Sequence, residues 1–142
     1  MTTAPAHPIL ARVASLAASQ QLPLYLVGGF VRDQLLGRAR RPVNVDVAVP
    51  SGALEFGRRM AKELQGSYVL LDEATRTARV VLGGQDRMEI DITDFRGPTI
   101  EEDLRLRDFT VNAMALPVSA WHEDPRAWAS SLLDPLQGRR DL

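Results

Sequence analysis

At 142 residues the chain has the length of one domain and is large enough to bury a real core. Its composition, 45% apolar and 25% charged, excludes a disordered polypeptide, and a formal net charge of −1 makes no whole-chain case for nucleic-acid binding. With no cysteine there is no disulfide, thiolate-bound zinc or thiol nucleophile, and two histidines, His7 and His122, leave little for an imidazole site, so any chemistry falls to carboxylates.

Met1 to Pro8 lacks a basic segment followed by an apolar one, and no apolar run approaches membrane-spanning length, so the expectation is a cytoplasmic protein with no membrane partner. From Pro8, the spacing of Ile9, Leu10, Val13, Leu16 and Ala17 predicts a helix ending near Gln20-Gln21. The apolar run Leu24–Val27 then meets Gly28-Gly29, after which Phe30, Val31, Leu35 and Leu36 recur at helical spacing up to Gly37. This predicts a strand, a tight turn and a short helix. Free N–H groups at such a helix start, unobstructed by Cβ atoms, form a ready site for a phosphate, and Arg32 adds a fork of donors one turn on. A lone Gly-Gly pair is equally a plain strand-to-helix turn. After the basic loop Arg38–Pro42, Val43–Val49 alternates strictly, with the valines on one face and Asn44, Asp46 and Ala48 on the other.

Pro50-Ser51 predicts a strand end and an N-cap, followed by a helix to about Gln65 that buries Leu54, Met60, Ala61 and Leu64 and closes at Gly66. Strands are expected at 67–72 and 78–83, with a turn at Gly83–Asp86. Met88–Thr93 alternates again, turning Glu89, Asp91 and Thr93 to one side. Thr99-Ile100-Glu101-Glu102 fits a capping box that opens a helix, and Phe109–Leu116 is a short apolar segment. Residues 117–131 read as irregular, without legible chemistry. Of the seventeen basic residues sixteen are Arg, with Lys62 alone, a bias that suits phosphate binding but is accounted for at least as well by a GC-rich genome.

Three features converge. A glycine turn at a helix start can hold a polyphosphate, Asn44 and Asp46 share one face of the next strand about 6–7 Å apart, and Asp91 stands on a later strand with the same alternation. Carboxylates at that spacing beside a triphosphate can hold a pair of Mg²⁺ ions, which points to nucleotidyl transfer. Singly, Asp46 or Asp91 is as well read as the polar side of an antiparallel sheet.

The segments Leu26–Gly37 (LVGGFVRDQLLG), Asn44-Val45-Asp46, Glu89-Ile90-Asp91-Ile92, Glu102–Ala115 (EDLRLRDFTVNAMA) and the closing LLDPLQGRRDL resemble the N-terminal catalytic head of class II CCA-adding tRNA nucleotidyltransferases and bacterial poly(A) polymerases, in the polymerase-β-like superfamily. The LDE, RVV and IDI segments between residues 71 and 92 are most similar to the CCA- and A-adding branch. The resemblance implies an α/β (α+β) head with a mixed sheet of about five strands and helices mainly on one face, residues 1–21 forming a helix packed on a head of residues 22–142. It implies that Gly28, Gly29 and Arg32 hold the triphosphate, that Arg107 lies near the nucleotide, and that Asn112 contacts sugar or backbone. Asp46 becomes a metal ligand, Asn44 its partner, and Asp91 the third carboxylate, turned toward the primer 3′-hydroxyl. The implied partners are ATP or CTP and the tRNA 3′ end, and the implied cofactor is Mg²⁺ in a two-ion site. Glu102, Asp103 and Asp108 read as structural, and Arg79 stays open between nucleotide and solvent.

Two positions depart from the family's pattern. Asn44 stands where the family has the first Asp of Asp-x-Asp, and an amide brings an oxygen but no charge, so affinity for two Mg²⁺ should fall. Leu106 replaces one of an Arg pair. The family's base-reading residues and tRNA-gripping helical body are expected downstream of Leu142, so CCA, CC and A addition and poly(A) synthesis are not separable here. The readings carried forward are a tRNA nucleotidyltransferase, a catalytically impaired nucleotide- or RNA-binding homologue, and an unrelated P-loop-type binder. The missing GxxxxGK[ST] argues against the last. Oligomeric state leaves no mark in the sequence.

Overall fold

The computed structural model describes residues 6–38, 42–83, 87–122, 124–128 and 130–142. The centre of the basic loop, residues 39–41, and most of the turn expected at 83–86 lie outside the described residues. The elements run α1 (Ala6–Ser19), β1 (Tyr25–Val27), α2 (Gly28–Leu35), β2 (Val43–Val49), α3 (Ala53–Leu64), β3 (Ser67–Asp72), β4 (Thr77–Leu82), β5 (Met88–Asp94), α4 (Ile100–Arg105) and β6 (Ala115–Pro117). One six-stranded mixed sheet has the order β3-β4-β5-β2-β1-β6, in which β2 and β5 are parallel and the other pairs antiparallel.

The expected alternation sets the layers. Val45, Val47 and Val49 of β2, Ile90 and Ile92 of β5, Val80 of β4 and Leu26 of β1 are buried against Leu10 and Val13 of α1 and Phe56, Met60 and Ala61 of α3. A smaller cluster on the opposite side joins Val27 and Ala48 to Ile100 and Leu104 of α4, with Ala113 and Ala115. α1 and α3 therefore cover one face, while α4 and the closing segment cover only the β1–β6 end of the other. The remainder of that second face, along β2, β5 and β4, carries the polar side chains.

The structure corrects three local expectations and extends a fourth. To the mixed sheet of about five strands it adds a short edge strand, Ala115–Pro117, for six in all; three residues are too few to show alternation. α3 is not capped by Ser51: Gly52, at φ 80°, is its N-cap, and the Ala53 N–H instead donates to Asp94 Oδ1 of β5 at 2.9 Å. Its buried side includes Phe56 and Gly57, whereas Leu54 is half-buried. Leu36, read as part of the apolar stripe of α2, is exposed just past its end. Thr99 caps α4 as expected, its Oγ1 accepting from the Glu102 N–H at 3.1 Å. In the irregular 117–131 region, Trp128 is buried and Trp121 bridges it to Phe30 with ring centroids 5.5 and 5.4 Å apart.

Candidate nucleotide and metal site

β1 passes into α2 with no intervening loop. Val27 is the extended N-cap, and Gly28 makes the turn at φ 69°, a backbone that L side chains resist. A Cβ on Gly28 would stand 3.5 Å from Asp46 Oδ2 and 3.7 Å from Arg107 Nη1, so the turn lies between the acid of β2 and the arginine that follows α4. A Cβ on Gly29 would lie 3.2 Å from Arg32 Nη2, because that guanidinium folds back over the turn. Here the first N–H groups of α2 lack intrahelical acceptors, and two arginines stand beside them.

Both arginines are held by side chains, Arg32 by one 80 residues away and Arg107 by one four residues before it. Arg32 Nη1 donates to Asn112 Oδ1 at 2.8 Å, and its Nε donates to Asp33 Oδ1 at 3.1 Å. Arg107 donates through Nη2 and Nε to Asp103 Oδ2 at 3.1 and 3.3 Å. Asp103 is 1% exposed, and its other oxygen accepts from the Arg96 N–H at 2.8 Å, which satisfies a buried charge that would otherwise be costly. Asn112 sits in a 3₁₀ turn, Thr110–Asn112, pressed by the closing segment: a Cβ on Gly138 would overlap the Thr110 carbonyl, and Asp134 accepts from the Gly138 and Arg139 N–H groups at 2.6 and 3.1 Å.

The carboxylate face lies next to this turn. Asp46 pairs in register with Asp91 across the parallel β2–β5 ladder, and Asn44 with Glu89. Neighbouring strands stand about 4.8 Å apart, so the two aspartates crowd one another. Burial, and after it the charge of Asp91, push the Asp46 carboxyl up to about 6, against the opposing pull of Arg107, Arg79 and Arg32. Asp91 is clasped by Arg79 of β4, with Nε to Oδ1 at 2.7 Å and Nη2 to Oδ2 at 3.1 Å. Arg79, left open by the sequence, thus faces the acids, and hydrogen bonding to Asp91 raises its own pKa further. Asn44 is exposed at the outer end of the row.

All eight candidate residues are accordingly drawn to one end of the sheet face: Gly28, Gly29, Arg32, Arg107 and Asn112 around the turn, and Asp46, Asp91 and Asn44 along the adjoining strands. The sequence reading missed the service Asp103 and Arg79 give to this site. A signal existed for Asp103, an acid four residues before Arg107 and so on the same helix face. For Arg79 the alternation of β4 gave its face but not its partner.

The chain matches the sequence profile described as the poly A polymerase head domain over residues 24–142, and it belongs to that family. It is 41% identical over 135 residues to a CC-adding tRNA nucleotidyltransferase of Geobacter sulfurreducens, covering 95% of this chain and 29% of that protein. It is 34% identical over 148 aligned positions to an A-adding tRNA nucleotidyltransferase of Halalkalibacterium halodurans, covering 94% of this chain and 32% of that protein. Among solved structures, a complex of a CCA-adding enzyme with CTP superposes with a TM-score of 0.76 at 36% identity, covering 98% of this chain and 32% of that one. The chain therefore spans about a third or less of the length of these relatives. No described helix is long and apolar enough to cross a membrane.

Proposed function

We propose that this chain is the catalytic head of a template-independent RNA nucleotidyltransferase that adds CMP or AMP to the 3′ end of a cytoplasmic tRNA and releases pyrophosphate. The observation that carries the reading is the meeting of Asp46 with the Gly28 turn, 3.5 Å from where a Cβ would be, beside the in-register Asp91. That arrangement sets an anion cradle against an acidic face, as transfer between a triphosphate and a hydroxyl requires.

In this reading the N–H groups at the start of α2, with Arg32 and Arg107, bind the triphosphate and neutralise the departing pyrophosphate. Asn112, through Arg32, keeps that fork turned to the cradle. The RNA 3′-hydroxyl gives up its proton to solvent as its oxygen bonds to the α-phosphorus, and the bond from the α-phosphorus to the bridging oxygen breaks with its electron pair leaving on pyrophosphate. Asp46 and Asp91 fit a divalent cation: they are adjacent, mutually repelling, and no described residue donates a hydrogen bond to Asp46. Asp46 and Asp91 would hold Mg²⁺ there, which would supply Lewis-acid activation of the attacking hydroxyl and charge stabilisation at the α-phosphate. Among the described residues no three His, Cys, Asp or Glu side chains converge on a metal position, which is in keeping with the neutral Asn44.

That exposed, neutral Asn44 favours a second reading, a catalytically impaired module that binds nucleotide or RNA. Labelled CTP and ATP incorporation into a tRNA lacking its CCA end, by this chain joined to the C-terminal part of the Geobacter relative, separates the two. The expected result is weak, Mg²⁺-dependent incorporation that Asn44→Asp raises strongly. Metal-independent nucleotide binding, with no turnover even after Asn44→Asp, would establish the impaired module instead.

A further inference from the structure

The carboxylates on the open sheet face are not equivalent. Asp46 carries no hydrogen bond from a described residue, whereas both oxygens of Asp91 are taken by the Arg79 fork at 2.7 and 3.1 Å. Glu89, opposite Asn44 in the ladder, accepts from Arg87 Nη2 at 3.0 Å and faces Arg79 Nη1 at 3.5 Å. Asn44 adds a dipole and no charge. Arg79 and Arg87 thus meet Asp91 and Glu89, while Arg107 and Arg32, whose charges also reach Asp46, are engaged by Asp103 and Asp33, leaving about one negative charge, centred at Asp46.

One divalent ion between Asp46 and Asp91 turns that balance positive. A second would find a neutral amide and acids already paired, and hard divalent cations are selected by the charge and number of their oxygen ligands. We infer that the chain's own residues hold one divalent cation, and that the Arg79 guanidinium provides at Asp91 the positive charge a second ion would otherwise bring. Arg79 is then a positioning residue. Its planar fork fixes the orientation of Asp91 through two parallel hydrogen bonds. The inference rests on the nucleotidyltransferase reading of the site, but its test does not depend on turnover.

That test is a titration of this chain with Mn²⁺ in the absence of nucleotide, with free ion followed by electron paramagnetic resonance. One Mn²⁺ per chain is expected, lost in Asp46→Asn. Arg79→Gln, which removes the competing charge from Asp91, should tighten the ion about tenfold, while Arg79→Lys, which keeps the charge, should stay within about threefold of the unaltered chain. Asn44→Asp should raise the count to two. Two ions in the unaltered chain, none at all, or an Arg79→Gln protein with native circular dichroism and unchanged or weaker Mn²⁺ binding would each overturn the inference. If Arg79→Gln does not fold, the counts for the unaltered and Asn44→Asp chains decide. One ion without nucleotide incorporation in the chimera, even after Asn44→Asp, refutes the nucleotidyltransferase reading, whereas incorporation with two resident ions refutes this inference alone.

Discussion

The glycine turn and the carboxylate face touch one another, yet they are built in opposite ways. Around the turn, nearly every group is fixed by a partner: Arg32 by Asn112, Arg107 by buried Asp103, and Gly28 by a backbone that only glycine holds easily. On the carboxylate face the central acid accepts no hydrogen bond from a described residue, its neighbour repels it, and relief comes from the charges of Arg107, Arg79 and Arg32. A site for an anion can be completed with the protein's own donors. One that awaits a cation has to keep a carboxylate in an unfavourable state, and stability is lost to function there.

Substitutions at four positions break or sharpen that contrast. The largest effect is expected at Asp103, where Asp103→Ala orphans Arg107 and the Arg96 N–H inside the protein and should destabilise the chain by about 3–5 kcal/mol in urea unfolding. Asp103→Asn, which keeps an oxygen for the Arg96 N–H, should lose less. A loss under 1 kcal/mol for the alanine variant would show that the turn is not held from α4.

Asp46→Asn should act in the other direction. A carboxyl raised from 3.8 to about 6 binds its proton more tightly in the folded chain than in the unfolded one, so its ionisation opposes folding. The penalty is absent below about pH 4, grows between pH 4 and 6, and is complete above pH 6, where the roughly two-unit shift corresponds to about 3 kcal/mol. In EDTA, Asp46→Asn should therefore be more stable than the unaltered chain by roughly that amount at pH 7.5 and no more stable at pH 4. It should also lose nucleotide incorporation in the chimera. An equal stability difference at both pH values would remove the charge argument.

Gly28→Ala tests the turn itself. Forcing a Cβ into φ 69° between Asp46 and Arg107 should destabilise by about 1–2 kcal/mol, and triphosphate affinity should fall with it. The smallest change is Asn112→Ala, which frees the Arg32 guanidinium by removing one acceptor. About 1 kcal/mol of nucleotide binding, seen as a roughly fivefold rise in KM for CTP with a smaller change in kcat, is expected in the chimera. If kcat falls instead and KM holds, Asn112 acts on the reacting groups and not through Arg32.

Much of this was legible in the amino-acid order because its causes are local. Period-two alternation in Val43–Val49 and Met88–Thr93 decides which side chains leave the core, so Asp46, Asp91 and Asn44 were assigned to one kind of face before any pairing was known. Gly28-Gly29 at a change from strand to helix period marks the turn into α2, and Thr99 with Glu102 marks the start of α4. Pairing belongs to the fold. That Asp46 stands opposite Asp91 depends on the register of two strands more than forty residues apart, and that Arg79 clasps Asp91 depends on β4 lying against β5. Asn112 reaches Arg32 across 80 residues only because the closing segment presses its turn against α2. Side-chain direction along one strand follows from the geometry of neighbouring residues. Which charge meets which across strands follows from the packing of the whole domain, and that is where the glycine turn gained its fixed arginines and the acidic face a carboxylate, Asp46, without a hydrogen bond among the described residues.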